Sequence, residues 1–403
     1  MIEWFQTQLG FSVLLMTGLI TVLMTTVAYA MFYERKVAAW TQDRHGPNRV
    51  GPRGLLQPIA DGLKALLKED IIPDHVDRPL FLLAPILMFS VSLIGFAVVP
   101  WGGPIVLPGG AHVHVQVASL DIGLLYVLAV GSMTVYGIVL GGWASNNKYS
   151  FYGAMRAAAQ VLSYEIPMGL AILVVVLTCG ELRLERIVDA QIGPHGSGWN
   201  VLLQPVACFL LLVTMFAEAN RAPFDLAEAE QELVGGYHTE YSAMKFAMFF
   251  LAEYAHMLTA SAVMVVLFFG GWELFPFSGR LGWAWLDWIH HSTDWRAAPV
   301  RFAILYAKVI ACVFVYMWVR WTLPRFRFDQ LMRLAWKGMV PVGLAVVAVA
   351  AMLVYGGRAA SWWAPAANAL VLVAALLWLA RTPAAVTGRQ PHLPPVPTKE
   401  GAS

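Results

Sequence analysis

Six carboxylates fall within residues 218–240: Glu218, Asp225, Glu228, Glu230, Glu232 and Glu240. The chain has 403 residues and 25 Asp plus Glu, so this is a concentration that solubility does not require. Four of the six lie in one segment, Pro223-Phe-Asp-Leu-Ala-Glu-Ala-Glu-Gln-Glu-Leu-Val-Gly-Gly236, with Arg221 just upstream. Carboxylates that couple at a membrane edge can hold, share and pass protons. Asp225, Glu228 and Glu232 are spaced i, i+3, i+7. If that stretch is helical, they line one face. Like charges there cannot all ionise cheaply, so they share protons or lean on Arg221. Pro223 ends or starts a helix, and Gly235-Gly236 lets the loop bend. The other reading is a solvated acidic loop that stops helix insertion, and spacing alone does not separate the two.

Two further acids stand inside apolar runs. Glu253 lies in Phe246-Ala-Met-Phe-Phe-Leu-Ala-Glu-Tyr-Ala-His-Met-Leu258. In a helix it is roughly 10 Å in from the inner edge of its span. Glu165 lies at similar depth. A charged Glu facing lipid costs several kcal/mol, so each must face protein or water. Both readings stay open, a proton relay or neutral acids hydrogen-bonded to neighbouring helices. Lys308 lies mid-span and is expected to pair with Glu253 or Glu165.

Redox and metal chemistry find little here. The three cysteines, Cys179, Cys208 and Cys312, stand apart in apolar runs, with no C-x-x-C. No Gly-rich nucleotide loop follows a strand pattern. No flavin, haem or iron–sulfur cluster is therefore expected on this chain. His112-Val-His114 and His290-His291 lack a nearby cysteine or acidic set of ligand spacing, so no metal is expected either.

The elements that must position these residues are membrane helices. The chain is 59% hydrophobic and 13% charged, with a mean hydropathy of +0.63. Globular chains are about 25% charged. A net charge of +2 argues against a nucleic-acid partner. Apolar runs near 11–33, 79–101, 120–143, 157–179, 200–217, 246–271, 300–322, 338–355 and 362–380 are long enough to cross a bilayer, the fifth only just. They show no period-two alternation, so strands are not expected to span. The expected fold is all-α and polytopic: one transmembrane helical domain over 1–380, with about nine helices and an uncleaved first span. A proline-rich inside tail, 381–403, is expected to be disordered. Lys and Arg number 19 in the loops of one side and 5 in those of the other. By the positive-inside rule, the acidic loop and C-terminus face the cytoplasm and the N-terminus faces out.

The largest inside loop, 34–78, has two parts. The first is the turn-rich basic stretch Asp43-Arg-His-Gly-Pro-Asn-Arg-Val-Gly-Pro52. In the second, Leu55, Ile59, Leu63, Leu66 and Leu67 follow a helical period. That pattern predicts a short amphipathic helix in the interface. It serves either as a plain anchor or as a lid over an opening through which a lipid-soluble ligand enters.

Gly54-Leu-Leu-Gln-Pro-Ile-Ala-Asp-Gly-Leu-Lys-Ala-Leu-Leu-Lys-Glu69 and Pro223–Gly236 resemble two signature motifs of one family. It is the quinone-site membrane subunit of bacterial NADH:quinone oxidoreductase, respiratory complex I. The equivalent chain in mitochondria is subunit 1 of complex I. Glu34-Arg-Lys-Val, Gly46-Pro-Asn, Ser163-Tyr-Glu, Ala217-Glu-Ala-Asn-Arg221, Leu251-Ala-Glu-Tyr254 and Pro324-Arg-Phe-Arg-Phe-Asp-Gln330 are similar too, over roughly 11–345. The last span and tail fall outside the resemblance.

The resemblance implies a bacterial inner-membrane subunit in the heel of an L-shaped complex, partnered by other membrane and peripheral-arm subunits. It implies a quinone cavity near Arg35, Asp61, Arg221 and Asp225. It also implies a proton relay through Glu165, Glu218, Glu228, Glu232 and Glu253, with Arg156 nearby. Quinone would be substrate, the electrons would come from an iron–sulfur cluster in another subunit, and no catalytic redox group would sit here. His256 departs from the small amide expected at its place. Three rivals stand beside this reading: the anchor subunit of a related membrane-bound hydrogenase, an independent ion transporter, and a purely structural anchor.

Overall fold

The computed structural model describes residues 7–192, 198–227, 230–278, 283–358, 361 and 363–381. Helix α1 (Gln8–Thr41) starts where the Thr7 hydroxyl accepts the Gly10 amide, a side-chain cap for a free helix end. The short α2 (Gln57–Leu67) begins with Pro58 in its first turn. Then come α3 (Arg78–Ile94), α4 (Gly123–Ser132), α5 (Thr134–Ala144) and α6 (Lys148–Cys179). Helix α6 is capped by Asn147 and stopped at Gly180, whose φ of 73° suits glycine. After α7 (Leu184–Ile192), the next apolar run is broken. Its pieces, α8 (Asn200–Leu203) and α9 (Pro205–Glu218), meet at Gln204, because Pro205 cannot donate to the preceding turn.

The second half holds α10 (Glu230–Leu233), α11 (Ala243–Phe268), α12 (Ala284–His291) and α13 (Ala297–Thr322). Helix α14 (Phe328–Arg333) runs through a π turn into α15 (Val340–Tyr355), and α16 (Trp363–Arg381) ends the described chain. Among the described residues, seven helical stretches are long and apolar enough to cross a bilayer, and Pro205–Glu218 and Trp363–Trp378 are shorter apolar helices. The protein is an all-α polytopic membrane protein.

The only strand pair among the described residues is a small hairpin, β1 (Pro104–Val106) with β2 (His112–His114), in the connection between α3 and α4. His112-Val-His114 forms strand β2, with Val113 inward and His112 exposed. No group of three His, Cys, Asp or Glu able to hold a metal occurs among the described residues.

Helix α11 is the most enclosed span and packs against α3, α13, α1 and α9. An all-round apolar helix belongs at the centre. Its Glu253, Tyr254 and His256 are therefore carried into the middle of the molecule. Helix α6 holds α5, α9 and α15 around it. A Cβ on Gly153 would come within 2.7 Å of the Gly236 Cα, so the end of the acidic segment lies backbone-to-backbone on α6. Loop contacts gather at one end of the bundle: Lys245 to Asp70 at 2.7 Å, Asn146 to the His75 carbonyl at 3.0 Å and Arg156 to Glu232 at 2.7 Å. The hairpin marks the opposite end.

Candidate functional site

The C-terminal end of α9 sets the site. After Glu218 the chain leaves the helix through Asn220, whose φ of 48° is a left-handed value that Asn tolerates. Gln160 on α6 fixes this exit by donating to the Ala217 carbonyl at 2.7 Å and the Asn220 side chain at 3.2 Å. Arg221 is thereby turned inward. Its guanidinium lies 4.1 Å from the Tyr254 ring centroid, 3.4 Å from Glu34 and 3.8 Å from Glu253. The Tyr254 hydroxyl donates to Glu34 at 2.6 Å, and the Tyr237 hydroxyl donates to Glu253 at 2.8 Å. Arg320, in the last turn of α13, pairs with the other Glu34 oxygen. Three charged groups from three segments, Glu34, Arg221 and Glu253, are thus buried together and mutually compensated, as burial of charge requires.

Two carboxylates continue the series deeper in the bundle. His256, one turn along α11 from Glu253, has its Nε2 atom 3.4 Å from a Glu218 oxygen. Glu165 on α6 lies beside the Ser132 side chain and within Coulombic reach of Glu218. A void of about 10 Å³ touches Glu218, Glu253 and His256. A neighbouring void of about 40 Å³ is walled mostly by apolar side chains and touches Glu218 and His256.

At the loop end, Arg35 pairs with Asp61 at 2.7 Å, and Gln57 donates to the other Asp61 oxygen at 2.9 Å. Helix α2 is therefore latched to the end of α1. An open cleft of about 640 Å³ is lined there by Glu34, Arg35, Arg44, His45, Arg49 and Gln57, among others. Glu34 stands both in the wall of this cleft and in the buried group around Arg221. Along α2, Ile59, Leu63, Leu66 and Leu67 are exposed on this chain and Pro58 is buried.

The acidic segment does not form the single helical face that its spacing suggested. Asp225 lies in an irregular turn, and among the described residues of the segment only Glu230–Leu233 is helical. Asp225 is buried and bound by Arg325 at 2.9 Å. Burial raises its carboxyl above the usual aspartate range, more than Arg325 offsets. Glu232 points elsewhere, exposed and paired with Arg156. Asp225 lies in the irregular stretch that precedes the helical turn Glu230–Leu233, so no one helix carries both acids on one side. Glu228 lies outside the described residues. Glu240 accepts from Asn147 at 2.6 Å and joins neither group.

Lys308 also differs from expectation. It reaches neither Glu253 nor Glu165. Its ammonium donates to the carbonyls of Phe269 at 2.6 Å and Gly271 at 3.0 Å, to that of Glu273, and lies 4.4 Å from the Trp199 ring centroid. Carbonyls freed where α11 ends attract a cation more directly than a carboxylate on another turn.

Sequence reasoning named Arg221 and Glu253 but not the groups that join them. Glu34, Arg320, Tyr237, Tyr254 and Arg325 complete the site. The signal to be found was a charged residue at the membrane end of an apolar run: Glu34 near the end of α1, Arg320 near the end of α13.

Comparisons with known proteins agree with this architecture. A family model described as NADH dehydrogenase matches residues 14–351. A subunit of the NADH-quinone oxidoreductase of Leptospira biflexa is 48% identical over 344 residues, covering 83% of this chain and 92% of the relative. Its counterpart in Cytophaga hutchinsonii is 45% identical, over 82% and 93% of the two chains. NADH-quinone oxidoreductase subunit 8 of Rhodothermus marinus is 46% identical, over 83% and 94%. Matching extends across nearly the whole described helical bundle up to α15, and the chain belongs to the NADH dehydrogenase family, as a membrane subunit of an NADH-quinone oxidoreductase.

Proposed function

We propose that this membrane subunit forms the membrane-side wall of a quinone-binding cavity and carries a proton line that couples quinone reduction to proton translocation. The observation that carries the reading is the position of Glu34. It lines the basic cleft at the loop end and is also bonded into the buried set that runs through Arg221 to Glu253. A change of charge in the cleft is therefore one ion pair away from the acids of the bundle interior.

The chemistry explains why such a connection is useful. Reducing a quinone to its quinol takes two electrons and two protons. The chain's residues offer no redox group, so electrons arrive from another subunit and quinone is substrate here. Arg35 and Asp61 hold α2 across the cleft, and the exposed apolar face of α2 suits the lipid interface that a hydrophobic quinone must leave. Electrons arriving on the bound head group add negative charge beside Glu34. Arg221 and Arg320 are the counter-charges on Glu34. Drawing Arg221 toward the cleft weakens its hold on Glu253, which then takes a proton. Glu253, Glu218 and Glu165 form the series that passes protons onward. Buried carboxylates in such spans carry relays because their charged forms depend on partners.

Glu232 with Arg156, and Asp225 with Arg325, hold the acidic segment against α6 and the link between α13 and α14 at the same end. Glu228 belongs to the same segment and is assigned to the relay by its motif. The Lys- and Arg-rich end faces the cytoplasm of a bacterial inner membrane in this reading, and the other subunits of the oxidoreductase cover the cleft.

The test is pumping by the assembled complex in liposomes carrying Glu165→Gln, Glu253→Gln or both. Gln removes a titrating site with little change of shape. Each single variant should slow quinone-linked pumping while the complex assembles, and the pair should lose little more than the worse single. Parental pumping by all three would leave the acids a purely structural role.

A further inference from the structure

We propose that His256 is a proton-carrying member of this line, set between Glu253 and Glu218. The inference rests on the proton-line reading above and adds a residue that the line needs. Glu253 and Glu218 lie on different helices, α11 and α9. His256 follows Glu253 by three residues, so both project on the same side of α11. Its Nε2 atom is 3.4 Å from Glu218, and the void of about 10 Å³ touches all three side chains. A space of that size holds about one water molecule.

The other groups around the ring do not compete for its proton. Ser92 of α3 and Thr134 of α5 supply hydroxyls to the void, and the rest of the lining is uncharged apart from the two glutamates. Arg221 stands on the far side of Glu253, and Glu165 and Tyr316 of α13 stand near Glu218. An imidazole flanked by two carboxyl groups can take a proton from one and give it to the other. A proton leaving the Glu253 carboxyl, through one water, makes a carboxylate and an imidazolium. The imidazolium then releases its Nε2 proton to the Glu218 carboxylate, restoring neutral imidazole. No electrons move, and the summed charge of the three groups is unchanged.

A histidine that only fills space would be replaced by glutamine without consequence for proton chemistry. Glutamine keeps a donor and an acceptor but cannot hold the extra proton. The assembled complex carrying His256→Gln is reconstituted in liposomes, and quinone-linked proton pumping is measured across the pH range in which imidazole titrates, about 5 to 8. NADH oxidation by a water-soluble acceptor serves as the control for intact electron input. Pumping should fall by about tenfold or more at neutral pH, and the imidazole limb of the pH profile should disappear. A parental rate and profile, with Glu253→Gln slow in the same assay, would overturn the role of His256 and leave the line standing. Parental pumping by Glu253→Gln would remove the line itself. If His256→Gln does not assemble, Glu218→Gln takes away the same proton partner, and retention of the imidazole limb in that variant overturns the proposal.

Discussion

Arg221→Met tests the step on which the proposed coupling depends. Methionine keeps the length of the side chain and its packing on the Tyr254 ring but carries no charge. The guanidinium it replaces lies 3.4 Å from Glu34 and 3.8 Å from Glu253. At an effective dielectric constant of about 20, unit charges so placed attract by about 4 to 5 kcal/mol each. Desolvation of the buried groups offsets much of this, and close buried pairs retain a coupling of about 2 kcal/mol or more. If that coupling is used during turnover, its loss slows the step about 30-fold. The assay is NADH-driven quinone reduction and pumping in liposomes for Arg221→Met, Glu253→Gln and the double variant. Once Arg221 is gone, Glu253 has lost the partner that its own replacement would remove. The double variant should therefore be hardly slower than the worse single. A double variant whose loss equals the product of the two single losses would refute the claim that the two side chains act through each other.

Four further outcomes follow from the same geometry. Arg35→Ala or Asp61→Asn should depress quinone reduction more than NADH oxidation by a water-soluble acceptor, because the 2.7 Å pair latches α2 over the cleft; equal loss of both activities would point to failed assembly. Lys308→Met leaves the carbonyls of Phe269, Gly271 and Glu273 without their donor and should destabilise the fold by about 3 kcal/mol, read as a lower melting temperature; an unchanged midpoint would refute the carbonyl cage. His290, outside the spans, has its imidazole pushed down to about 4, first by burial and then by His291 and Arg301. Its folded value lies below its unfolded one, so the stability linked to its neutral form is complete above about pH 6.5 and is lost as pH falls toward 4. His290→Gln should flatten the pH dependence of melting in that window, and an unaltered slope would count against it. Optical and metal analysis of the isolated chain should show no flavin, haem or iron, and stoichiometric iron would contradict the reading of the three separate cysteines.

The fold class could be read from composition because runs of roughly 20 apolar residues have one common solution in lipid. Helix boundaries also followed local chemistry, as at Thr7, Asn147 and Gly180. The break at Gln204–Pro205 was visible only as a short fifth run. The site was legible in part. Glu253 and Arg221 drew attention because charge is rare in apolar sequence. Their partners did not, because Glu34 and Arg320 sit at span ends, where charge is ordinary. Nothing in sequence spacing brings residue 34 beside residue 221 and residue 320. The acidic segment misled for the opposite reason. Its i, i+3, i+7 pattern presumes a helix, whereas Asp225 lies outside the helical turn that carries Glu232, and the two acids go to Arg325 and Arg156.

The distribution of cations explains why the two ends of the bundle differ in kind. Near the loop end, Arg221, Arg320 and Arg325 each face a carboxylate, so every pair there can be broken by adding or removing one proton. At the opposite end, Lys308 and the buried Arg301 are held by backbone carbonyls: those named above for Lys308, and those of Ile289 and Gly102 at 2.5 and 2.9 Å for Arg301. A carbonyl cannot be protonated in the accessible pH range, so these contacts persist whatever the carboxylates do. The three arginines near the loop end therefore have partners that titrate, and Lys308 and Arg301 at the far end have carbonyl partners that do not. Protonating a carboxylate therefore leaves in place the Lys308 contacts that fasten the end of α11 to α13. In the proposed coupling, that fixed junction is what would let a small movement of Arg221 act on Glu253 rather than dissipate through the bundle.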